Sequence, residues 1–161
     1  MSCLYYDDGG ETVTKVVIHN YNIELLEQYA ESQTYEVCAM LIGHQNYNFY
    51  KNRNGICDTI QHIFFTENTD KSPVHFTISK EQLLEGYKLA SRLELDVIGI
   101  FHSHPNNSPY PSITDERFMK TNPGVWIIYS GSEIDRFLYE EFKAFVLDEN
   151  EQPKEIRITD D

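Results

Sequence analysis

Apolar and polar residues alternate along this chain in two rhythms, one typical of strands and one typical of helices. Short runs rich in β-branched and apolar residues predict strands, and apolar residues three or four positions apart predict helices. The predicted strands are residues 12–18, 35–42, 58–66, 97–101, 125–130, 137–147 and 156–159. The predicted helices are residues 20–32, residues 79–93 and a short helix that starts at Ser112 and ends before Asn122.

Local signals for caps and turns support these boundaries. Asn20 is placed to cap the first helix, and Ser79 with Gln82 has the spacing of a capping box for the second. Residues 52–55, Asn-Arg-Asn-Gly, predict a hairpin between two strands. The loop after His104 is rich in proline, which ends regular structure there.

Helices and strands are mixed along the chain without strict alternation of strand and helix. This order predicts an α/β sandwich in which helices flank a mixed, largely antiparallel sheet, rather than a doubly wound parallel sheet. With 161 residues, 40% of them hydrophobic, the chain is long enough for one core. We therefore expect a flexible tail over residues 1–11 and a single domain over residues 12–161.

Composition narrows the classes of partner and compartment. The net charge of −13 disfavours nucleic acid and anionic membrane surfaces as partners. Three cysteines, an odd number without a C-x-x-C pair, make a disulfide scaffold a poor interpretation, and they favour a reducing, cytoplasmic setting. Because residues 1–11 have neither a basic region nor an apolar core, we expect no signal peptide, and no apolar stretch reaches the roughly 20 residues that a membrane span needs.

Candidate chemistry is concentrated in residues 102–115, which read HSHPNNSPYPSITD. His102 and His104 lie two positions apart at the end of a predicted strand, so both imidazoles point to one face. Ser112 and Asp115 lie three positions apart at the start of the short helix, so hydroxyl and carboxylate share one side of its first turn. If the loop folds the helix back over the strand end, two imidazoles and a carboxylate can meet one metal ion.

Three protein ligands with one open position are typical of catalytic rather than structural zinc. Zinc in such a site lowers the pKa of its water to about 7, and hydrolysis then also needs a proton carrier and a donor to the oxyanion. Ser112 is placed to donate a hydrogen bond to the oxyanion. The same S-x-x-D spacing is typical of a helix cap, and both roles can hold together.

The proton carrier must come from elsewhere in the chain. Glu36 is our candidate, because it begins an otherwise apolar predicted strand, where a carboxylate is costly to bury without a partner. A thiol nucleophile at Cys38, two residues further, is a competing interpretation. Its apolar surroundings favour a small buried side chain instead.

These residues together resemble the JAMM motif of MPN-domain metalloproteases. The resemblance is carried by Glu36 in EVCAMLIG, by HSHP, and by SITD, which is separated from His104 by seven residues. VIGIFHSHP and VWIIYS are similar to the strands on either side of the motif, and the element order agrees over residues 12–159. Without long insertions, the chain looks like the compact archaeal and bacterial members. The resemblance implies the MPN fold, a cytidine-deaminase-like α/β sandwich with a curved mixed sheet.

The resemblance also implies roles for five residues. His102, His104 and Asp115 would bind Zn²⁺, Glu36 would be the general base and acid, and Ser112 would stabilise the oxyanion. The implied reaction is hydrolysis of an isopeptide or peptide bond after the C-terminal Gly-Gly of a ubiquitin-like modifier. One departure from the family pattern, Ala39 where glycine is frequent, exchanges one small residue for another.

Three other functions compete with this one. Within the same fold, the enzyme could be a processing peptidase that trims a small sulfur-carrier protein to its terminal Gly-Gly. A non-catalytic MPN scaffold that binds partners is disfavoured because the chain keeps the complete motif. A zinc deaminase would need a P-C-x-x-C ligand pair, which the sequence lacks.

Overall fold

The computed structural model describes residues 13–47, 56–131 and 141–160. The strands in these ranges are β1 (Val13–Ile18), β2 (Cys38–Tyr47), β3 (Ile56–Thr66), β4 (Asp96–His104), β5 (Val125–Ser130), β6 (Phe142–Leu147) and β7 (Pro153–Thr159). The helices are α1 (Asn20–Glu31), α2 (Lys80–Arg92) and α3 (Ile113–Thr121). The predicted tail over residues 1–11, the hairpin over residues 52–55 and the predicted strand residues 137–140 lie outside the described residues.

The strands form one sheet that closes on itself in the order β1-β3-β2-β4-β5-β6-β7. Neighbouring strands run antiparallel in the pairs β2–β3, β2–β4, β5–β6 and β6–β7, and parallel in the pairs β1–β3, β1–β7 and β4–β5. The mixed, largely antiparallel sheet predicted from the sequence is confirmed. Its closure was not predicted, because the pairing of β1 with both β3 and β7 leaves no local signal.

Two helix starts differ in detail from the sequence prediction. The first helix begins at Asn20, and its cap is His19, whose Nδ1 accepts from the Tyr21 N–H at 3.4 Å. The Asn20 side chain instead donates to Asp160 at 2.7 Å. Ser79 caps α2 as predicted, but the Gln82 side chain accepts from the Glu67 N–H at 2.8 Å rather than completing a capping box. The side chains of Asn20 and Gln82 thus bind groups that are distant in sequence, and neither takes part in capping its own helix.

The core lies on both faces of the central strands. One cluster contains Leu26 and Ala30 of α1 together with alternate residues of β5, namely Val125, Ile127 and Tyr129. A second cluster contains Met119 of α3 and the intervening β5 residues Trp126 and Ile128. All six β5 residues are buried, so this strand separates α1 from α3. No helix in the described part of the chain is long and apolar enough to cross a membrane.

Candidate metal centre

The C-terminal end of β4 carries the two histidines of the predicted site. His102 and His104 are both buried, and their Nε2 atoms lie 3.0 Å apart. The residues that alternate with them face elsewhere: Phe101 belongs to the core cluster on the α1 side, and the Ser103 hydroxyl binds the Val37 N–H. The period of two residues in an extended strand thus places both imidazoles on one face, as the sequence predicted.

The start of α3 brings a carboxylate to these imidazoles. Ser112 and Asp115 form a full capping box: the Ser112 hydroxyl accepts from the Asp115 N–H at 3.0 Å, and Asp115 Oδ2 accepts from the Ser112 N–H at 2.9 Å. The same Oδ2 lies 3.1 Å from Nε2 of both His102 and His104. The cap therefore orients the carboxylate toward the histidines.

A backbone carbonyl sets the tautomer of His104. Its Nδ1 lies 2.8 Å from the carbonyl oxygen of Ser108, in the proline-rich loop. Because a carbonyl only accepts, Nδ1 carries the proton and donates it, and Nε2 of the neutral ring keeps its lone pair free. This is the arrangement in which an imidazole binds a metal through Nε2.

The charges of the three groups are strongly coupled. Burial lowers the pKa of His102, although the neighbouring Asp115 opposes this. Burial would raise the pKa of Asp115, but His102, His104 and the Ser112 N–H together hold it well below its usual range. Burial also acts to lower the pKa of His104, yet its hydrogen bonds to Asp115 and Ser108 raise it overall. Asp115 is therefore an anion, and His102 favours its neutral form.

A cation fits these three atoms better than protons do. The two Nε2 atoms and Asp115 Oδ2 form a triangle with edges of 3.0, 3.1 and 3.1 Å. One proton can bridge only one edge of such a triangle, whereas a single ion can contact all three atoms. Ligands about 2.0–2.1 Å from a tetrahedral zinc ion lie about 3.3 Å apart, close to the separations found here.

Glu36 completes a group of four residues that could hold a metal ion. The candidate ligand atoms of Glu36, His102, His104 and Asp115 all lie within 4.8 Å of one another, and all four residues are buried. Glu36 Oε1 is 3.9 Å from His102 Nε2 and has no hydrogen-bond partner within the described part of the chain. Burial, reinforced by the charge of Asp115 and opposed by His104, raises the pKa of Glu36 to about 8.

The position of Glu36 differs from the prediction in one respect. The predicted strand over residues 35–42 begins only at Cys38, so Glu36 precedes β2. Its peptide groups are instead bound by Asn68, Ser72 and Ser103. Sequence reasoning missed Asn68, Ser72 and Ser103 in this role, because no local pattern shows that they bind the backbone around Glu36.

Aromatic rings cover one side of the site. Phe76 stacks on the His102 ring at a centroid distance of 4.8 Å, and Trp126 meets the same ring edge-on at 5.6 Å. The Phe76 and Trp126 side chains also line an apolar cavity of about 190 Å³, together with Ile78 and Phe118. Such a wall excludes water from the imidazole and strengthens electrostatic interactions beside it.

The structure argues against a thiol nucleophile at Cys38. The side chain is fully buried, and its Sγ accepts from the Thr66 hydroxyl at 3.2 Å. Burial raises the pKa of this thiol to about 11, although the Thr66 hydrogen bond opposes the shift. A thiol that stays protonated near neutral pH is a poor nucleophile.

Comparison with known proteins agrees with this geometry. The family model described as prokaryotic homologs of the JAB domain matches residues 20–142, well over half of the chain. The chain belongs to this prokaryotic JAB family. The JAMM/MPN resemblance noted in the sequence is thereby confirmed. The predicted fold class of the chain and its assignment to the JAMM-type hydrolases are confirmed as well.

Individual relatives of this JAB-domain chain extend over most of its length. A desampylase from Pyrococcus furiosus is 29% identical over 143 residues, which cover 89% of each protein. Two solution structures share the fold. Protein DSY2949 from Desulfitobacterium hafniense aligns with a TM-score of 0.67 at 22% identity, covering 91% of this chain and 94% of its own. A protein from Salinibacter ruber aligns with a TM-score of 0.62 at 17% identity, covering 91% of each chain.

Proposed function

We propose that this protein is a zinc-dependent isopeptidase that cleaves after the C-terminal Gly-Gly of a ubiquitin-like modifier. The observation that carries the proposal is the convergence of His102, His104 and Asp115 on one point, with the buried Glu36 carboxylate beside them. The name of the Pyrococcus relative, desampylase, supports a small protein modifier as the substrate. Membership of a JAMM family supports hydrolysis as the reaction.

In this proposal each residue has one task. His102, His104 and Asp115 would hold a zinc ion, whose Lewis acidity makes a water molecule acidic near neutral pH. Glu36 accepts the proton of the attacking water at its unpartnered Oε1 and returns it to the leaving amine. A carboxyl pKa raised by burial suits this exchange, because both protonation states are accessible near neutral pH.

Ser112 is the donor to the scissile carbonyl oxygen. Its Oγ accepts a hydrogen bond from the Asp115 N–H, which uses one lone pair of the oxygen for the helix cap. The hydroxyl proton therefore stays available to a substrate. The residue is also exposed to solvent, unlike the four buried residues beside it. Capping and oxyanion stabilisation are therefore compatible in one side chain.

The test is hydrolysis of a modifier with a Gly-Gly C-terminus, presented as a linear fusion and as an isopeptide conjugate. We expect zinc-loaded protein to release the modifier, chelator to abolish release, and added zinc to restore it. Cleavage of the linear fusion alone would favour the processing of a sulfur-carrier protein. Full activity after verified removal of zinc, or no cleavage of either substrate, would contradict the proposal.

The Glu36→Gln variant tests the role of the base separately. We expect it to bind zinc in the same stoichiometry as wild type, because the three other ligands remain, and to lose at least about 100-fold in turnover. Glu85→Gln is the matched control, since this carboxylate lies exposed on α2. Normal turnover by Glu36→Gln would show that another group carries the proton.

A further inference from the structure

A single peptide group, the one that joins Glu36 to Val37, is bound at both ends by side chains. Its carbonyl oxygen, which belongs to Glu36, accepts from Asn68 Nδ2 at 2.8 Å. Its N–H, which belongs to Val37, donates to Ser103 Oγ at 2.9 Å. On the other side of Glu36, the N–H of that residue donates to the Ser72 carbonyl at 2.9 Å. The backbone on both sides of the Glu36 side chain is thus held outside any regular strand.

Asn68 is built into the fold with its full bonding capacity. Its two Nδ2 protons go to the carbonyls of Glu36 and His75, at 2.8 and 3.1 Å. Its Oδ1 accepts from the N–H groups of Asp70 and Thr77, both at 3.1 Å. These four bonds determine which end of the amide is nitrogen. The side chain, only 1% exposed, therefore ties the loop between β3 and α2 to the backbone of Glu36.

Ser103 reaches the same peptide group from between the two histidines. Its N–H donates to the Val37 carbonyl at 3.1 Å, while its hydroxyl accepts from the Val37 N–H. The last pair of residues in the β2–β4 ladder is Cys38 with His102, so the contact between Val37 and Ser103 lies one residue beyond the end of that ladder. The hydroxyl takes the place of a ladder carbonyl and links the Glu36 segment to the strand that carries His102 and His104.

We infer that Asn68 and Ser103 are positioning residues that clamp the Glu36–Val37 peptide so that the Glu36 carboxylate is held at the metal centre. The inference rests on the proposed function, in which Glu36 moves the proton. A misplacement of about 1 Å at a reacting group costs about 100-fold in rate. Neither residue needs to touch the substrate for its loss to lower turnover.

The test uses zinc-loaded full-length protein with four substitutions. Ser103→Ala removes the acceptor for the Val37 N–H, and Ser103→Thr keeps a hydroxyl there. Asn68→Asp keeps the shape and the two acceptor contacts of Asn68 but loses both donors. Thr77→Val is the matched control, because it breaks a hydrogen bond to Asp70 in the same loop without contacting Glu36.

We expect Ser103→Ala and Asn68→Asp to lower kcat about 10- to 100-fold, with KM changed by less than about two-fold and zinc content unchanged. Ser103→Thr should restore most of kcat, and Thr77→Val should keep it. If Asn68→Asp does not fold, the comparison of Ser103→Ala with Ser103→Thr tests the inference on its own. Wild-type kcat in Ser103→Ala, or a loss of kcat that parallels a loss of zinc, would overturn the clamp.

Crystal structures of the zinc-loaded variants separate this inference from the proposed function. The Glu36 carboxylate should shift by about 1 Å or more in Ser103→Ala and Asn68→Asp, and it should stay in place in Thr77→Val. An unmoved carboxylate in both variants would overturn the clamp even if the enzyme is active. If wild type cleaves no substrate, the proposed function fails. The position of the Glu36 carboxylate in the variants still tests whether Asn68 and Ser103 hold it in place.

Discussion

Asp115 serves a helix and a candidate metal site through one oxygen atom. Its Oδ2 accepts from the Ser112 N–H and faces the Nε2 atoms of His102 and His104. In a helix cap alone, the carboxylate would be solvated and adjustable. Here it is buried and directed by a backbone donor, so the helix cap itself fixes the orientation of the carboxylate toward a cation. Preorganisation of this kind lowers the cost of binding.

Glu36 should make the metal-free protein less stable as pH rises. Burial raises its pKa from the ordinary 4.5 to about 8, so the folded protein holds this proton more tightly than the unfolded chain does. The stability contributed by this proton is complete below pH 4.5 and is lost as pH rises to about 8. One pKa unit corresponds to about 1.4 kcal/mol, so the loss should exceed about 1 kcal/mol.

Chemical denaturation of metal-free wild type and Glu36→Gln, each at pH 5 and at pH 8.5, measures this effect. We expect the free energy of unfolding of the variant, relative to wild type, to increase between the two pH values. Comparing the two proteins cancels the titration of groups that they share. The exposed Glu85→Gln variant is the control, and parallel profiles for Glu36→Gln and wild type would contradict the prediction.

At the scale of elements, the start of α3 combines two functions that substitutions at Ser112 can separate. Ser112→Ala loses both the cap and the hydroxyl, whereas Ser112→Gly loses the hydroxyl but costs the cap only a few tenths of a kcal/mol. We expect Ser112→Ala to lower the free energy of unfolding by about 1 kcal/mol, and Ser112→Gly by much less. Both should lower kcat by about 100-fold or more, as the loss of an oxyanion donor does.

Thermal or urea unfolding and kcat on a linear fusion provide the two measurements. Ser112→Thr keeps both the hydroxyl and the cap, so it should behave like wild type in each. Normal turnover in Ser112→Gly would remove Ser112 from the reaction and leave it as a cap alone. Equal stability of Ser112→Ala and wild type would mean that the capping box contributes little.

Most elements could be predicted from the sequence because their signals are local. Period two placed His102 and His104 together, and the S-x-x-D spacing placed Ser112 and Asp115 on one turn. The start of β2 was placed too early, since nothing local shows that Glu36 is bound by side chains from another loop and strand. The aromatic cover of His102 was equally hidden, because Phe76 comes from a loop without periodicity.

At the scale of the whole molecule, the site depends on close packing of β4 against β5. Gly99 pairs with Val125, and a Cβ on Gly99 would lie 1.9 Å from the Val125 carbonyl oxygen. Because that neighbour is backbone, the two strands would have to separate. We expect Gly99→Ala to destabilise the protein by about 1–3 kcal/mol or more, and to weaken zinc binding through the displaced end of β4.

Gly131→Ala is the matched control for this substitution. The nearest atom to a Cβ on Gly131 is Tyr129 Cε1 at 3.8 Å, an ordinary contact, so stability should change by less than about 0.5 kcal/mol. Denaturant titration and competition with a zinc chelator measure stability and affinity. Equal stability of Gly99→Ala and Gly131→Ala would show that β4 and β5 can separate at little cost.

The closure of the sheet has a mechanical consequence. β1 and β7 lie side by side and parallel, joined through the pairs of Lys15 with Arg157, Val16 with Ile158, and Val17 with Thr159. A force that pulls Val13 and Asp160 apart acts along these strands, so their hydrogen bonds are loaded together in shear rather than opened one at a time. We expect the domain to resist stretching between these two points far better than stretching across β5 and β6.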